Sequence, residues 1–342
     1  MKKTLAISMT LKLPVEAVTE KFAILAVSGA GKSNAAVAMA EEMFAAGLPW
    51  VAIDPKGDWW GIRSSADGKR AGLPVLFFGA AGRKRKNKPE PDVPLEDSAG
   101  KMIADLIVDE RVSAILDMSG FSDAAKIRFL IDFGTQLFSR NEEPLHLFCD
   151  ECDEYLPQKP FKEETRLLHV FTKILKQGRN FGLGATLISQ RSAVVNKNAL
   201  TQCTSLIAMR NTAPQDRDAI EAWVNEKDGQ HLEIVETLPS LENGEAWIWS
   251  PQFLHLVERF QFRRRETFDS GATPKIGAKL IAPKTVADID LAAVRERMSA
   301  TIERAKSADP KALRAQIATL KTEKANLEKQ LAKAPTTKTE EK

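Results

Sequence analysis

The segment FAILAVSGAGKSN, residues 22–34, sets two glycines, a lysine and a hydroxyl directly after an apolar run. Residues 26–33, AVSGAGKS, differ at one position from the phosphate-binding pattern GxxxxGK[ST]: Ala26 stands where the first glycine should be. A strand that ends in a glycine-rich turn and opens a helix aims successive backbone N–H groups at one point, and the helix dipole adds to that anion site. The stretch Ser28, Gly29, Ala30, Gly31, Lys32, Ser33 and Asn34 is therefore expected to wrap the phosphates of ATP. Gly29 and Gly31 supply backbone freedom and close approach. Lys32 would reach the β and γ phosphates, and the Ser33 hydroxyl would ligate Mg²⁺. At the strand exit alanine is the smallest change available, so the loop is expected to tolerate Ala26.

A second constellation lies downstream. LHLFCDE, residues 145–151, is an apolar run ending in two carboxylates. Alone, such a pair would read as a helix cap or a loop. Behind a phosphate loop it reads as chemistry, with Asp150 holding the metal and Glu151 orienting and deprotonating the attacking water. The same run spells C-D-E-C, but its first cysteine falls inside the apolar strand and no second cysteine pair exists, so the thiols are expected in the core. Further on, GATLISQ ends a strand at Ser189. In a parallel sheet the carboxyl ends of neighbouring strands lie side by side, which makes Gln190 a candidate sensor of the γ-phosphate or the water. Arg179, in the turn QGRNFG before that strand, is too far from its own loop. It suits donation to a neighbouring subunit as an arginine finger. Arg210, closing SLIAMR, is a second arginine candidate.

These groups need a scaffold that aligns strand ends. Short apolar runs at 22–27, 50–54, 74–79, 112–118, 145–150, 184–189 and 205–210 alternate with helical patterns such as NAAVAMAEEMFAAG and EETRLLHVFTKILKQ. That alternation predicts an α/β fold whose mostly parallel sheet is covered on both faces. EAWIWS (245–250) and HLVERFQFRRR (255–265) are expected to extend one edge, and residues 1–21 to form a β-hairpin. Residues 83–98, RKRKNKPEPDVPLEDS, hold five basic residues and three prolines and read as a basic surface loop inserted into a core spanning 22–265. Residues 266–285 read as a linker. A helical region over 286–334 carries an apolar seam from Leu313 to Ala334 at alternating 4,3 spacing, interrupted by Lys324, which reads as a short coiled coil or as a solvated helix packing one apolar edge on the body. The tail, 335–342, is expected to be disordered.

Composition narrows the class. No apolar stretch approaches the roughly 20 residues of a membrane span, and three cysteines without framework spacing suit a reducing, cytoplasmic compartment. A net charge of +3 over 342 residues is too small for a polycation, so nucleic-acid contact must come from local patches.

In order along the chain, ILAVSGAGKSN, VAIDPKGDWW, LFCDE, GRNFGLGATLISQRSAVVNKNALTQC and LIAMRN resemble the HerA/FtsK superfamily of RecA-like translocating ATPases, and most of all its HerA branch. The resemblance covers roughly residues 20–265. It implies a RecA-like core and a hexameric ring threading double-stranded DNA. It also implies Lys32 and Ser33 in the phosphate loop, Asp150 and Glu151 as metal ligand and base, Gln190 as sensor and Arg179 as the finger in trans. HerA proteins usually carry a β-barrel ahead of the ATPase, and only about 20 residues precede the first strand here. A nuclease partner of the HerA kind is therefore less expected than self-association, or an effector docking, through the coiled coil.

DNA contacts are expected from Arg83, Lys84, Arg85, Lys86 and Lys88 in the inserted loop and from Arg263, Arg264 and Arg265, although charge runs are often no more than solvated surface. Trp59 and Trp60 are open to two readings, base stacking or packing beneath a loop, the second being the commoner. Beside a ring translocase or helicase stand two alternatives: a motor that pumps DNA for packaging or conjugation, and a nucleotide-gated scaffold for an effector such as one in phage defence.

Overall fold

The computed structural model describes residues 3–80, 88–224 and 231–271, together with the isolated positions 283 and 285. The inserted-loop residues Arg83, Lys84, Arg85 and Lys86, the coiled-coil seam and the C-terminal tail lie outside the described residues.

The N-terminal hairpin pairs β1 (Thr4–Ala6) with β2 (Lys12–Pro14). The core opens with β3 (Lys21–Leu25) and α1 (Lys32–Ala45), followed by β4 (Trp50–Asp54), β5 (Leu76–Ala80), β6 (Val93–Leu95) and α2 (Gly100–Glu110). Next come β7 (Ala114–Asp117), α3 (Asp123–Arg140), β8 (Leu145–Cys149), α4 (Thr165–Gln177) and β9 (Leu183–Ser189). The last elements are α5 (Lys197–Leu200), β10 (Ser205–Met209), α6 (Pro214–Val224), α7 (His231–Thr237), β11 (Glu245–Ser250) and β12 (Leu256–Gln261). Among the described residues ten strands form one sheet in the order β12-β11-β10-β3-β9-β8-β4-β7-β5-β6. The strands from β10 to β6 run parallel, and β11 and β12 add an antiparallel edge.

The near-continuous apolar strands follow from burial on both faces: every residue of β3, β4, β8, β9 and β10 is buried. α1 is buried over most of its circumference because it packs on the sheet and also beneath the N-terminal hairpin. Its small side chains, in SNAAVAMA, permit that double contact. One element departs from the sequence reading. Val93–Leu95, expected within a surface loop, is a short parallel strand at the far edge, where Pro94 costs nothing because its missing N–H faces no further strand.

The segment after β12 straps α1 in place. The buried Glu41 carboxylate accepts from Thr267 N (2.9 Å), Thr267 Oγ1 (2.7 Å) and Glu266 N (2.9 Å), and its other oxygen meets Arg263 Nη1 at 2.7 Å. Arg263 also reaches Glu42, whose carboxylate takes the Ala6 N–H of the hairpin. Glu41→Ala would strand these donors in a buried setting. The expected cost is about 3 kcal/mol, lowering the melting temperature by roughly 6–12 °C for a domain of this size. A thermal melt shifted by less than about 2 °C would show that the strap contributes little.

Candidate active site

Sheet order, more than sequence spacing, assembles the chemistry. Along the carboxyl edge the neighbouring strands β10, β3, β9, β8, β4 and β7 end in turn at Arg210, the phosphate loop, Gln190, Asp150–Glu151, Asp54 and Asp117. The register holds these ends level, with Leu25 opposite Ser189, Leu187 opposite Cys149, Cys149 opposite Ile53, and Asp54 opposite Asp117.

The phosphate loop is seated by its own backbone. Ala26 N donates to Ser189 O at 3.2 Å and Val27 N to Arg210 O at 3.0 Å, so both flanking strands anchor the loop's exit. Ala26 is buried and is not among the positive-φ residues, which explains why alanine serves here: nothing at this position demands glycine. Gly31 is different. It sits at φ 100°, and a Cβ there would fall 2.8 Å from Asn243 Oδ1 and 3.0 Å from Gly244 N, in the turn before β11. Gly244 N in turn holds Ala30 O at 2.9 Å. The helix that follows begins without a side-chain cap and without an acidic residue in its first turn, which leaves its N–H groups and dipole for an anion.

Lys32 is buried and bonded to Glu151 Oε1 at 3.0 Å, with Asp150 Oδ1 at 4.0 Å. Lys56 Nζ and Gln190 Nε2 reach the same Glu151 oxygen at 2.5 and 2.7 Å. Asp150 is held by Trp59 Nε1 on Oδ2 (3.1 Å) and by the Glu151 N–H on Oδ1 (3.0 Å). Glu151 takes a left-handed backbone at φ 44°, a conformation that costs a non-glycine residue of order 1 kcal/mol and recurs at functional turns. Burial pushes the Glu151 carboxyl upward, but Lys32 and the hydrogen bonds from Lys56 and Gln190 outweigh it and hold the group below its ordinary range. Glu151 is thus kept ionised. Burial raises the Asp150 carboxyl above its ordinary range despite the nearby Lys32 ammonium.

Three participants escaped the sequence reading. Lys56, in the turn of VAIDPKGDWW, bonds Glu151 Oε1 directly. Asp54 accepts from Gly57 N (2.7 Å) and Trp59 N (2.9 Å) and so shapes the turn that carries Lys56. Burial first, then the neighbouring Asp117 and Asp150, push its carboxyl up to about 8. Asp117 is paired with Lys88 and accepts from Ser119 N at 3.0 Å. The available signal was an aspartate at the end of each of two further apolar strands, in VAID and SAILD.

Other expected site residues lie elsewhere. The side chain of Asn34 is committed to the strap, donating to Arg263 O (2.8 Å) and accepting from Arg265 N (2.9 Å), which leaves only its backbone for a phosphate. Arg263 and Arg265 do not present a basic surface to DNA: Arg263 is engaged by Glu41 and Glu42, and Arg265 is buried with Thr267 and Asp269 as its partners. Arg264 alone of the three is exposed. Lys88 is likewise turned inward onto Asp117. Trp59 and Trp60 are buried, Trp59 against Trp50 and Phe148 and Trp60 against Phe268, so packing rather than base stacking is their role. Arg210 Nη2 stands 3.4 Å from Gly29 O, beside its own phosphate loop. Arg179 occupies the opposite edge of the sheet, before β9, where it pairs with Glu20 at 3.0 Å and remains 63% exposed.

The donor set suits Mg²⁺ and a nucleotide together. Among the described residues no group of three His, Cys, Asp or Glu side chains is arranged to hold a metal. Mg²⁺, which takes one or two protein oxygens and completes its shell with phosphates and water, would find that pair in Ser33 and Asp150.

The chain is similar to known proteins over part of its sequence and in its fold. The family model described as "Helicase HerA, central domain" matches residues 4–95, which contain the phosphate loop and the Lys56 turn. A probable helicase of Methanocaldococcus jannaschii is 28% identical over 159 residues, 46% of this chain and 28% of the relative. The DNA double-strand break repair helicase HerA of Saccharolobus solfataricus is 30% identical over 117 residues, 34% of this chain and 22% of the relative. The matched segments thus span less than a third of these relatives' length. In fold, the plasmid coupling protein TrwB, solved with the non-hydrolysable GTP analogue GDPNP, aligns over 79% of this chain and 91% of its own at a TM-score of 0.54, with 12% identity.

Proposed function

We propose that this chain, which the HerA central-domain model matches over residues 4–95, is a HerA-like Mg²⁺-dependent ATP hydrolase working as a ring motor, a hexamer that moves along double-stranded DNA. The observation that carries the proposal is the convergence of Lys32, Lys56 and Gln190 on one oxygen of Glu151, one residue from Asp150. An ionised carboxylate held by three donors at the end of the strand two places from the phosphate loop is placed to orient a water. Lys32 is the group that a γ-phosphate would draw away from Glu151, which frees the base side of the carboxylate only when the nucleotide is bound. Gln190 stays on Glu151 and keeps its direction fixed. When bound, Mg²⁺ would neutralise charge on the phosphates, with Ser33 and Asp150 as its protein ligands.

Arg179 cannot serve the site of its own subunit from the far edge of the sheet. In a ring it would serve the neighbour's, which makes oligomerisation a condition of full turnover. The test is steady-state ATP hydrolysis with and without long duplex DNA, with the oligomer mass recorded. Several-fold stimulation by duplex DNA in a particle of hexamer mass is the expected result. Hydrolysis that duplex DNA leaves unchanged, in a monomer, would overturn the motor reading.

A further inference from the structure

With Arg263, Arg265 and Lys88 committed inward, the described surface still carries a concentration of positive charge in which, among the described residues, Arg179 alone has a carboxylate partner. Residues 155–200 contain eight lysines and arginines, Lys159, Lys162, Arg166, Lys173, Lys176, Arg179, Arg191 and Lys197, against two acids, Glu163 and Glu164. The surplus of six in this stretch is twice the net charge of +3 on the whole chain. All eight are exposed.

The helix α4, TRLLHVFTKILKQ, contains no aspartate or glutamate. It buries Leu167, Phe171, Ile174 and Leu175, which fixes its rotation. Arg166, His169, Lys173 and Lys176 then fall at i, i+3, i+7 and i+10 on the opposite face, a stripe roughly 15 Å long at the helical rise. Surface helices ordinarily intersperse the two signs. Here, among the described residues, Arg166, Lys176, Arg191 and Lys197 have no carboxylate partner, and Lys173 stands over the Phe138 ring at 4.5 Å.

The stripe is joined to the nucleotide site. The loop after Glu151 and the loop after Gln190 interlock: Gln158 N donates to Val194 O at 2.7 Å, Asn196 N to Leu156 O at 2.7 Å, and Lys197 N to Gln158 Oε1 at 2.8 Å. These two loops carry Lys159, Lys162, Arg191 and Lys197, and α4 packs on α5 beside them.

We propose that the exposed face of α4, with the interlocked loops at its N-terminal end, is a sequence-independent binding surface for the phosphate backbone of nucleic acid. A 15 Å stripe spans about four phosphates of one strand at 3.4 Å each. Point charges on flexible stems suit backbone contact without base readout. Because the loops also carry the two groups at the nucleotide, Glu151 and Gln190, occupancy by phosphate backbone is coupled to the site. The inference rests on the proposed motor reading for its choice of polyanion.

The experiment measures binding of a fluorescein-labelled duplex by the full chain, with a non-hydrolysable ATP analogue present, across a series of KCl concentrations. The variant is the triple Arg166→Gln, Lys173→Gln, Lys176→Gln. A charge-matched control, Lys12→Gln, Lys69→Gln, Lys101→Gln, removes three exposed cations from other faces. The stripe variant is expected to flatten the slope of log affinity against log salt by about 3, and to weaken binding on the order of ten- to a hundredfold near physiological salt. The control should lose less than threefold. A wild-type slope in the stripe variant overturns the surface, and so does an equal loss in the control, which would make net charge the cause. Thermal melts verify folding, and the single reversal Arg166→Glu tests the face if the triple variant melts early. Tighter binding of polyglutamate than of duplex would assign the stripe to an acidic protein and overturn the proposal. Failure of the wild-type chain to bind duplex at all would instead strike at the motor reading itself.

Discussion

Glu151→Gln is expected to lower ATP turnover by two to four orders of magnitude while leaving nucleotide affinity intact or higher. General-base assistance is worth about 10² to 10⁴ in rate, and glutamine keeps the size and one carbonyl oxygen but cannot accept the proton. Affinity is expected to hold because Glu151 competes with nucleotide for Lys32. That lysine lies 3.0 Å from the carboxylate, and a neutral amide releases it toward phosphate. The Lys56 and Gln190 contacts fall on the same oxygen, so an amide rotated to present its carbonyl retains both geometries. Phosphate release measured beside the binding of a fluorescent ATP analogue separates the two effects. Turnover within about threefold of wild type would remove Glu151 from the base role. Loss of affinity along with turnover would make it a structural partner of Lys32 instead.

Arg179→Ala is expected to have an effect of similar size through a different subunit. An arginine supplied in trans contributes about 10³ to 10⁵ to phosphoryl-transfer rates. Among the described residues Arg179 has one ion-pair partner, Glu20; the arginine is too exposed for the pair to contribute much to stability, and the buried Glu20 carboxylate keeps the Thr204 hydroxyl as a donor at 3.1 Å. The melting temperature should therefore move by no more than a degree or two while turnover collapses. Mixing subunits decides the matter. Arg179→Ala and Glu151→Gln each inactivate a different half of a shared site. Rings assembled from both contain some interfaces where an intact Glu151 faces an intact Arg179, and the mixture should exceed the sum of the separate rates. Undiminished turnover in Arg179→Ala alone would end the proposal, and absence of any gain on mixing would place the arginine's role within its own subunit.

Much of the site was legible in the residues. AVSGAGKS declares itself because glycine, lysine and serine at that spacing answer to backbone geometry, and backbone geometry is local. The apolar strands were legible for a similar reason: a strand buried on both faces must be apolar throughout, so FAIL, WVAID and LHLFC stand out from their surroundings. Even the departure at Ala26 was resolvable, since a strand exit at negative φ needs no glycine.

Other features depended on distance along the chain. The expectation that Arg263 and Arg265 face DNA came from a run of three like charges, and a run carries no information about what lies opposite. For Arg263 the opposing group is Glu41, more than two hundred positions earlier on α1, while Arg265 is buried with Thr267 and Asp269 as its partners. Lys56 was missed for the converse reason. A lysine in a turn is unremarkable until the sheet order sets β4 beside β8 and brings its ammonium to Glu151, 95 residues away. The α4 stripe belongs to both levels: its 3,4 spacing is written in the sequence, but whether that face is covered depends on which side of the helix meets α3 and the sheet.

Sequence by itself determined the glycine-rich turn between β3 and α1, the parallel α/β class and the acidic strand end, because each is enforced by local backbone geometry or by burial of contiguous residues. Tertiary structure alone decided which charges are spent on one another and which remain for a partner. Ion pairing falls off with distance in space and is blind to separation along the chain, so the sheet order had to be known before Arg263 and Arg265 could be set aside and α4 brought forward.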